Sequence, residues 1–278
     1  MVRSMLVGLD ASAHSRAAVK LGITWAKRFN CFLAGVGVIN EPTIRGPQST
    51  PIGAGAFKQH SDDLRLSQAK QHCEQLLSQF ALQCTHEKVS HKLLEDIGSP
   101  VDQILREAQR YDLVLMGQQG CERFDCETTS SETLEQVLRH APRPVVATPE
   151  APRAGSGVLI AYDGSVQAAR AIQVFLASGL HELGEIRVIT IDPKSSVEAA
   201  KKADRVVEFL GFHNVKAKLH PVVSSKAQGR VLLEEANNLG SELIVMGAYG
   251  KTRLREFFLG SVTQTVLSES QAPVFLYH

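Results

Sequence analysis

Apolar residues in this chain come in short runs separated by segments with helical spacing, and the alternation is clearest in the second half. Val158–Tyr162, Ile186–Ile191, Leu243–Met246 and Val274–Tyr277 are apolar runs of strand length, and Val215–Val223 alternates with a period of two. Between them, Val166–Leu176, Val197–Leu210 and Val231–Leu239 place apolar residues at helical intervals, with Val206, Val207 and Leu210 on one face. A further helix is expected from Val262 to Leu267. Strands that alternate with helices predict a parallel sheet covered on both faces, joined by right-handed crossovers. Five strands of this kind predict an open, doubly wound α/β fold whose ligand sits at the carboxyl ends of the strands, beside the topological switch point.

The pattern occurs twice. Ser4-Met-Leu-Val-Gly-Leu-Asp10-Ala-Ser12 matches Gly157-Val-Leu-Ile-Ala-Tyr-Asp163-Gly-Ser165. Asp112-Leu-Val-Leu-Met-Gly117-Gln-Gln-Gly120 matches Glu242-Leu-Ile-Val-Met-Gly247-Ala-Tyr-Gly250, and Pro144-Val-Val-Ala-Thr148 matches Pro273-Val-Phe-Leu-Tyr277. Two tandem domains are expected, 1–150 and 151–278, with Glu150-Ala-Pro-Arg-Ala-Gly-Ser156 as linker. The first two matches differ in offset by 23 residues, and the excess is placed in a Pro/Gly-rich loop between Asn40 and His60.

The candidate chemistry lies after the fourth strand of the second half. Gly247-Ala-Tyr249-Gly250 is followed, nine residues on, by Gly260-Ser261 and a helix beginning near Val262. Glycines allow close backbone approach to an anion, and a helix start offers unpaired N–H groups at the positive end of its dipole. The same glycines could simply turn a strand into a helix. Gly247-Ala-Tyr-Gly-Lys-Thr252 is not a P-loop, which needs four residues between its glycines rather than two. Lys251, Arg253 and Arg255 either reach phosphate or are solvated loop cations. Asp163 and Asp10, each two residues before a serine at a helix start, read equally as capping clusters or as ligand contacts, with Ser165 the cap. If strands one and four are neighbours, Asp163 and Gly247 share one crevice.

Composition narrows the function. The chain has 278 residues, 44% of them hydrophobic, and a net charge of +1, so neither disorder nor a basic nucleic-acid or membrane surface is indicated. No apolar stretch is long enough to span a bilayer, and the short apolar run at the N-terminus ends in Asp10, unlike a signal peptide, so a cytoplasmic location is expected. The five cysteines, Cys31, Cys73, Cys84, Cys121 and Cys126, suit reduced thiols better than a disulfide framework. Cys121 and Cys126 are the one close pair, without a second pair to complete a zinc site. Scattered histidines and the absence of G-x-S-x-G and H-E-x-x-H motifs leave no catalytic or metal-ligating constellation.

The doubled unit, the Asp at the end of strand one, and Met246-Gly-x-x-Gly-x9-Gly-Ser261 resemble the universal stress protein family in its tandem form. The resemblance implies strand order 3-2-1-4-5 and, from the glycine pattern of the ATP-binding members, a site for ATP, ADP or AMP in the second half. By that resemblance Asp163 and Ile191 lie against the adenosine. Met246, Gly247, Tyr249 and Gly250 border ribose and phosphates, and Gly260, Ser261 and Val262 hold the phosphates, with Mg²⁺ arriving with them. It also implies pairing of the two halves through Val145–Thr148 and Val274–Tyr277, and leaves room for a further homodimer. The function implied is a nucleotide-binding regulator of the stress response, with at most slow ATP hydrolysis; a nucleotide-independent scaffold or small-ligand binder is the competing reading.

The first half departs from the pattern. It keeps Asp10, Gly117 and Gly120, but Ser130 or Ser131 stands where the third glycine is required. Glu122, Asp125, Glu127 and Glu132 place carboxylates near the phosphate position, where like charges repel. Nucleotide binding is therefore expected only in the second half.

Overall fold

The computed structural model describes residues 1–46, 55–121, 129–248 and 260–278. They form two compact units, one of residues Arg3–Val137, the other of Leu138–His278 together with Met1–Val2.

In the first unit, β1 (Ser4–Leu9) leads through α1 (Ala13–Phe29) to β2 (Phe32–Ile39), then through α2 (Glu41–Ile44) and α3 (Gly55–His86) to β3 (His91–Ile97). α4 (Pro100–Ala108) returns the chain to β4 (Leu113–Gly117), which is followed by the two-residue strands β5 (Gly120–Cys121) and β6 (Thr129–Ser130) and the start of α5 (Glu132–His140). The parallel order is β3-β2-β1-β4. The reversal at β1 places the ends of β1 and β4 side by side. All five β4 residues are buried, as a strand covered on both faces requires.

The second unit opens with the end of α5 and β7 (Val145–Thr148). β8 (Val158–Ala161), α6 (Val166–Ser178), β9 (Ile186–Asp192), α7 (Ser196–Phe212) and β10 (Ala217–Val223) follow. α8 (Gln228–Asn238), β11 (Leu243–Gly247), α9 (Ser261–Glu269) and β12 (Val274–Tyr277) complete it. The order β10-β9-β8-β11-β12 is the 3-2-1-4-5 arrangement expected, all parallel. β12 is then flanked on its other side by β7, antiparallel, with Phe275 opposite Val146. Phe275 is fully buried and meets the ring of Phe175 edge-on at 5.9 Å. The N-terminal strap Met1–Val2 belongs here too, its Val2 N–H donating to Ser178 O at 2.6 Å.

Two expectations need correction. The excess of the first half is not a single loop from 40 to 60. Glu41–Ile44 is a short helix opened by Asn40, whose side chain accepts from Thr43 N–H at 3.3 Å. Residues 55–60 belong to α3, which has 32 residues where its counterpart α7 has 17. Pro/Gly spacing marked a loop, but helix propagation from the long polar stretch that follows runs back to Gly55; residues 47–54 lie outside the described set. Second, Cys121 is disulfide-bonded rather than a free thiol. Cys126 lies outside the described residues. Cys31, Cys73 and Cys84 are free and buried, and burial pushes each thiol up to about 11, leaving them protonated and unreactive at neutral pH.

Candidate functional site

The switch point of the second unit brings the ends of β8, β9 and β11 together. β8 pairs with β11 through Leu243–Val158 to Val245–Ile160 and with β9 through Val158–Ile186 to Ala161–Ile189. Asp163 follows β8, Ile191 lies near the end of β9, and Met246 and Gly247 end β11, so four of the residues singled out from sequence occupy the carboxyl edge of three adjacent strands. Asp163 is exposed, Ile191 and Gly247 are partly exposed, and Met246 is buried. Tyr249 and Gly250, together with Lys251, Arg253 and Arg255, lie outside the described residues.

Asp163 shapes the entry to α6. Its carboxylate accepts from Ser165 N–H at 2.8 Å, and Ser165 Oγ accepts from Ala168 N–H at 3.1 Å. Ser165 is therefore the cap of α6, while Asp163 holds the turn and is itself exposed. Gly247 abuts the helix start that this turn sets: a Cβ there would lie 2.5 Å from Ala168 N and 2.6 Å from Gln167 C. Internal packing alone accounts for this glycine. Periodicity did not reveal Thr190, whose hydroxyl donates to Tyr162 O at 2.9 Å and ties β9 to the segment leading into Asp163. A threonine inside an apolar run was the available signal.

Gly260 has no such explanation. Its φ of −61° and ψ of 146° are open to any residue, and a Cβ there would meet nothing within 4 Å among the described residues. It is the N-cap of α9 and makes no side-chain capping bond, whereas Ser12, Ser99, Ser165 and Ser195 each cap their helix with a side-chain oxygen. Ser261 is exposed and Val262 partly exposed in the first turn. Gln264 is the first residue to return its N–H to the Gly260 carbonyl, at 3.0 Å. Because α9 lies between β11 and the parallel β12, it begins at the carboxyl edge of the sheet, the edge on which Asp163 and Ile191 also lie. A helix N-terminus, with its unpaired donors and the positive end of the dipole, suits an anion.

The corresponding crevice of the first unit is filled by its own chain. Asp10 Oδ1 accepts from Ser12 N–H at 2.6 Å, and the carboxylate is also hydrogen-bonded to the backbone of Cys121. A Cβ on Gly120 would lie 3.0 Å from Asp10 Oδ2, and Ser12 Oγ donates to Gln119 O at 3.3 Å. The loop after β4 closes on itself through the β5–β6 ladder, Gly120 opposite Ser130 and Cys121 opposite Thr129. Desolvation under this loop raises the Asp10 pKa, although the Ser12 and Cys121 hydrogen bonds act against it. Ser130 thus sits in a strand pair and Ser131, its hydroxyl on Glu135 at 2.7 Å, immediately precedes α5. Glu122, Asp125 and Glu127 lie outside the described residues. Among the described residues there is no group of three or more potential metal ligands, and no helix is long and apolar enough to cross a membrane.

A parallel 3-2-1-4-5 sheet in the second unit and its 3-2-1-4 counterpart in the first, each with strands one and four adjacent, define a tandem doubly wound α/β protein. The family model described as "Universal stress protein family" matches residues 1–149 and again 157–278, and the chain belongs to that family. The universal stress protein Slr1230 of Synechocystis sp. is 27% identical over 172 residues, 60% of this chain and 58% of that protein. The universal stress protein MJ0577 of Methanocaldococcus jannaschii is 32% identical over 88 residues, 32% of this chain and 49% of that protein. The chain thus spans about half the length of these curated relatives. A universal stress protein from Archaeoglobus fulgidus superposes over 99% of this chain and 97% of its own, with a TM-score of 0.72 and 22% identity, which establishes the shared fold.

Proposed function

We propose that this protein binds an adenine nucleotide in its second half and acts as a nucleotide-responsive regulator in the stress response. The observation that carries this reading is Gly260: neither its backbone conformation nor its packing among the described residues requires glycine, and as N-cap it opens a helix without supplying a side-chain cap. A position kept bare against open space is what close approach of a phosphate demands. Gly260, Ser261 and Val262 would hold the phosphates, Mg²⁺ would accompany them as a phosphate-bound counter-ion, and Asp163, Ile191, Met246 and Gly247 would border the nucleoside, with Tyr249 and Gly250 completing the loop. The family resemblance of Met246-Gly-x-x-Gly-x9-Gly-Ser261 supports the assignment. Pairing of β7 with β12 supports a pseudo-dimeric arrangement in which the closing strand of one repeat serves the other.

Titration calorimetry with Mg-ATP, Mg-ADP and AMP tests the reading on the full chain and on Gly260→Val. Binding of about one nucleotide per chain is expected for the wild type, with affinity reduced at least about tenfold, or about 1.4 kcal/mol, in the variant. No binding by the wild type, or equal affinity in the variant, would favour the nucleotide-independent scaffold.

A further inference from the structure

The first unit carries a second surface depression at the opposite end of its sheet, where α1 and α3 finish. α1 supplies Lys20, Ile23, Lys27 and Arg28 to one wall. The end of α3 and the residue after it supply Leu82, His86 and Glu87 to the other, enclosing an open groove of about 1050 Å³. An adjoining depression of about 780 Å³ shares Lys27, His86 and Glu87 and adds Arg3 and Lys88. Arg3 precedes β1 and Lys88 precedes β3, so this is the amino-terminal end of the strands, remote from the crevice described above.

Its charge is unlike that of the chain. Lysine and arginine number 30 against 29 aspartates and glutamates overall, but the two depressions are lined by five lysines and arginines against the single carboxylate of Glu87. Lys27 already engages that carboxylate at 2.5 Å and holds it below the usual carboxylate range. Helix-dipole complementarity explains Lys27 and Arg28 in the last turn of α1 and His86 in the last turn of α3. It does not explain Lys20, Arg3 or Lys88. The groove also has an apolar track. Ile23 is buried in its floor, while Leu82 is 71% exposed on its rim. Arg28 lies over the Phe29 ring, 5.8 Å from the centroid, a posture that keeps its stem on apolar surface.

We propose that this groove is a docking site for an acidic amphipathic segment of a partner protein, its apolar face on Ile23 and Leu82 and its carboxylates on Lys20 and Lys88. An open groove between two helices suits a helix or extended segment better than a compact metabolite. The excess of cations selects an acidic sequence and speeds its capture.

Fluorescence anisotropy on the full chain tests this with a fluorescein-labelled amphipathic peptide about 15 residues long, leucine on one face and glutamate on the other. A lysine-for-glutamate version is the control. The acidic peptide should bind, weaken as salt rises, and outcompete the basic peptide by at least about tenfold. Lys20→Glu combined with Lys88→Glu, and separately Leu82→Glu, should each weaken it at least about tenfold, with the thermal midpoint and circular dichroism reporting that each variant is folded. Lys20 and Lys88 are surface residues, so folding should survive; should the double variant unfold, Leu82→Glu alone decides. Failure of the acidic peptide to bind, equal binding of both peptides, or unchanged affinity in folded variants overturns the proposal, as does binding to phosphatidylserine vesicles at peptide-free sites blocked by the same variants while the acidic peptide does not bind.

Discussion

A side chain on Gly247 would begin 2.5 Å from the backbone nitrogen of Ala168, so the end of β11 and the first turn of α6 are in contact that only glycine permits. This fixes the width of the crevice at its base, because neither partner is a flexible side-chain tip. Gly117 stands in the same relation to α1, where a Cβ would lie 2.7 Å from His14 Cβ and 2.9 Å from Gln119 O.

Gly247→Ala should therefore force the strand and helix apart and cost about 1–3 kcal/mol of stability. Urea unfolding should show a lower midpoint with an unchanged slope. An unchanged midpoint would mean that the two backbones yield without cost.

Gly260→Val should behave differently. Its φ of −61° strains no residue and no neighbour among the described residues lies within 4 Å of a Cβ there, so its stability should change by about 1 kcal/mol, the scale of an N-cap substitution. A loss of nucleotide affinity with retained stability would separate a binding role from a structural one, and a comparable fall in both would deny the distinction.

Asp10 should leave a pH signature. Burial raises its folded-state pKa above the ordinary 3.8, so the folded protein holds this proton more tightly than the unfolded chain. The associated stability is complete below pH 3.8 and is lost as pH rises through the folded-state value. Asp10→Asn carries no such loss. The stability of wild type minus variant should be highest in acid and fall towards neutrality, as measured by parallel denaturant titrations; a difference that rises with pH would refute burial as the dominant influence.

Phe275→Ala should remove a fully buried ring from between Phe175 and the β7–β12 seam, costing about 3–5 kcal/mol. Amide exchange of Val145–Thr148 should accelerate with it, because β7 pairs with the strand that Phe275 anchors. Unchanged exchange there would show that β7 is held by other contacts.

The alternation of apolar runs and helical spacing was sufficient for the α/β class, the doubling, the strand positions and the glycine spacing, because period and propensity are local properties written residue by residue. It could not separate the reasons for two glycines. Gly247 answers to a helix backbone more than 70 residues earlier in sequence, while Gly260 answers to no neighbour among the described residues, and that contrast exists only once β8 and β11 lie side by side. Nor could it show that Asp10 is covered by its own loop while Asp163 stays exposed, since the two share a local motif and differ only in what folds over them. Local sequence chose the elements; the burial that assigns each matching residue its role came from contacts between segments far apart in the chain, and those are decided by packing.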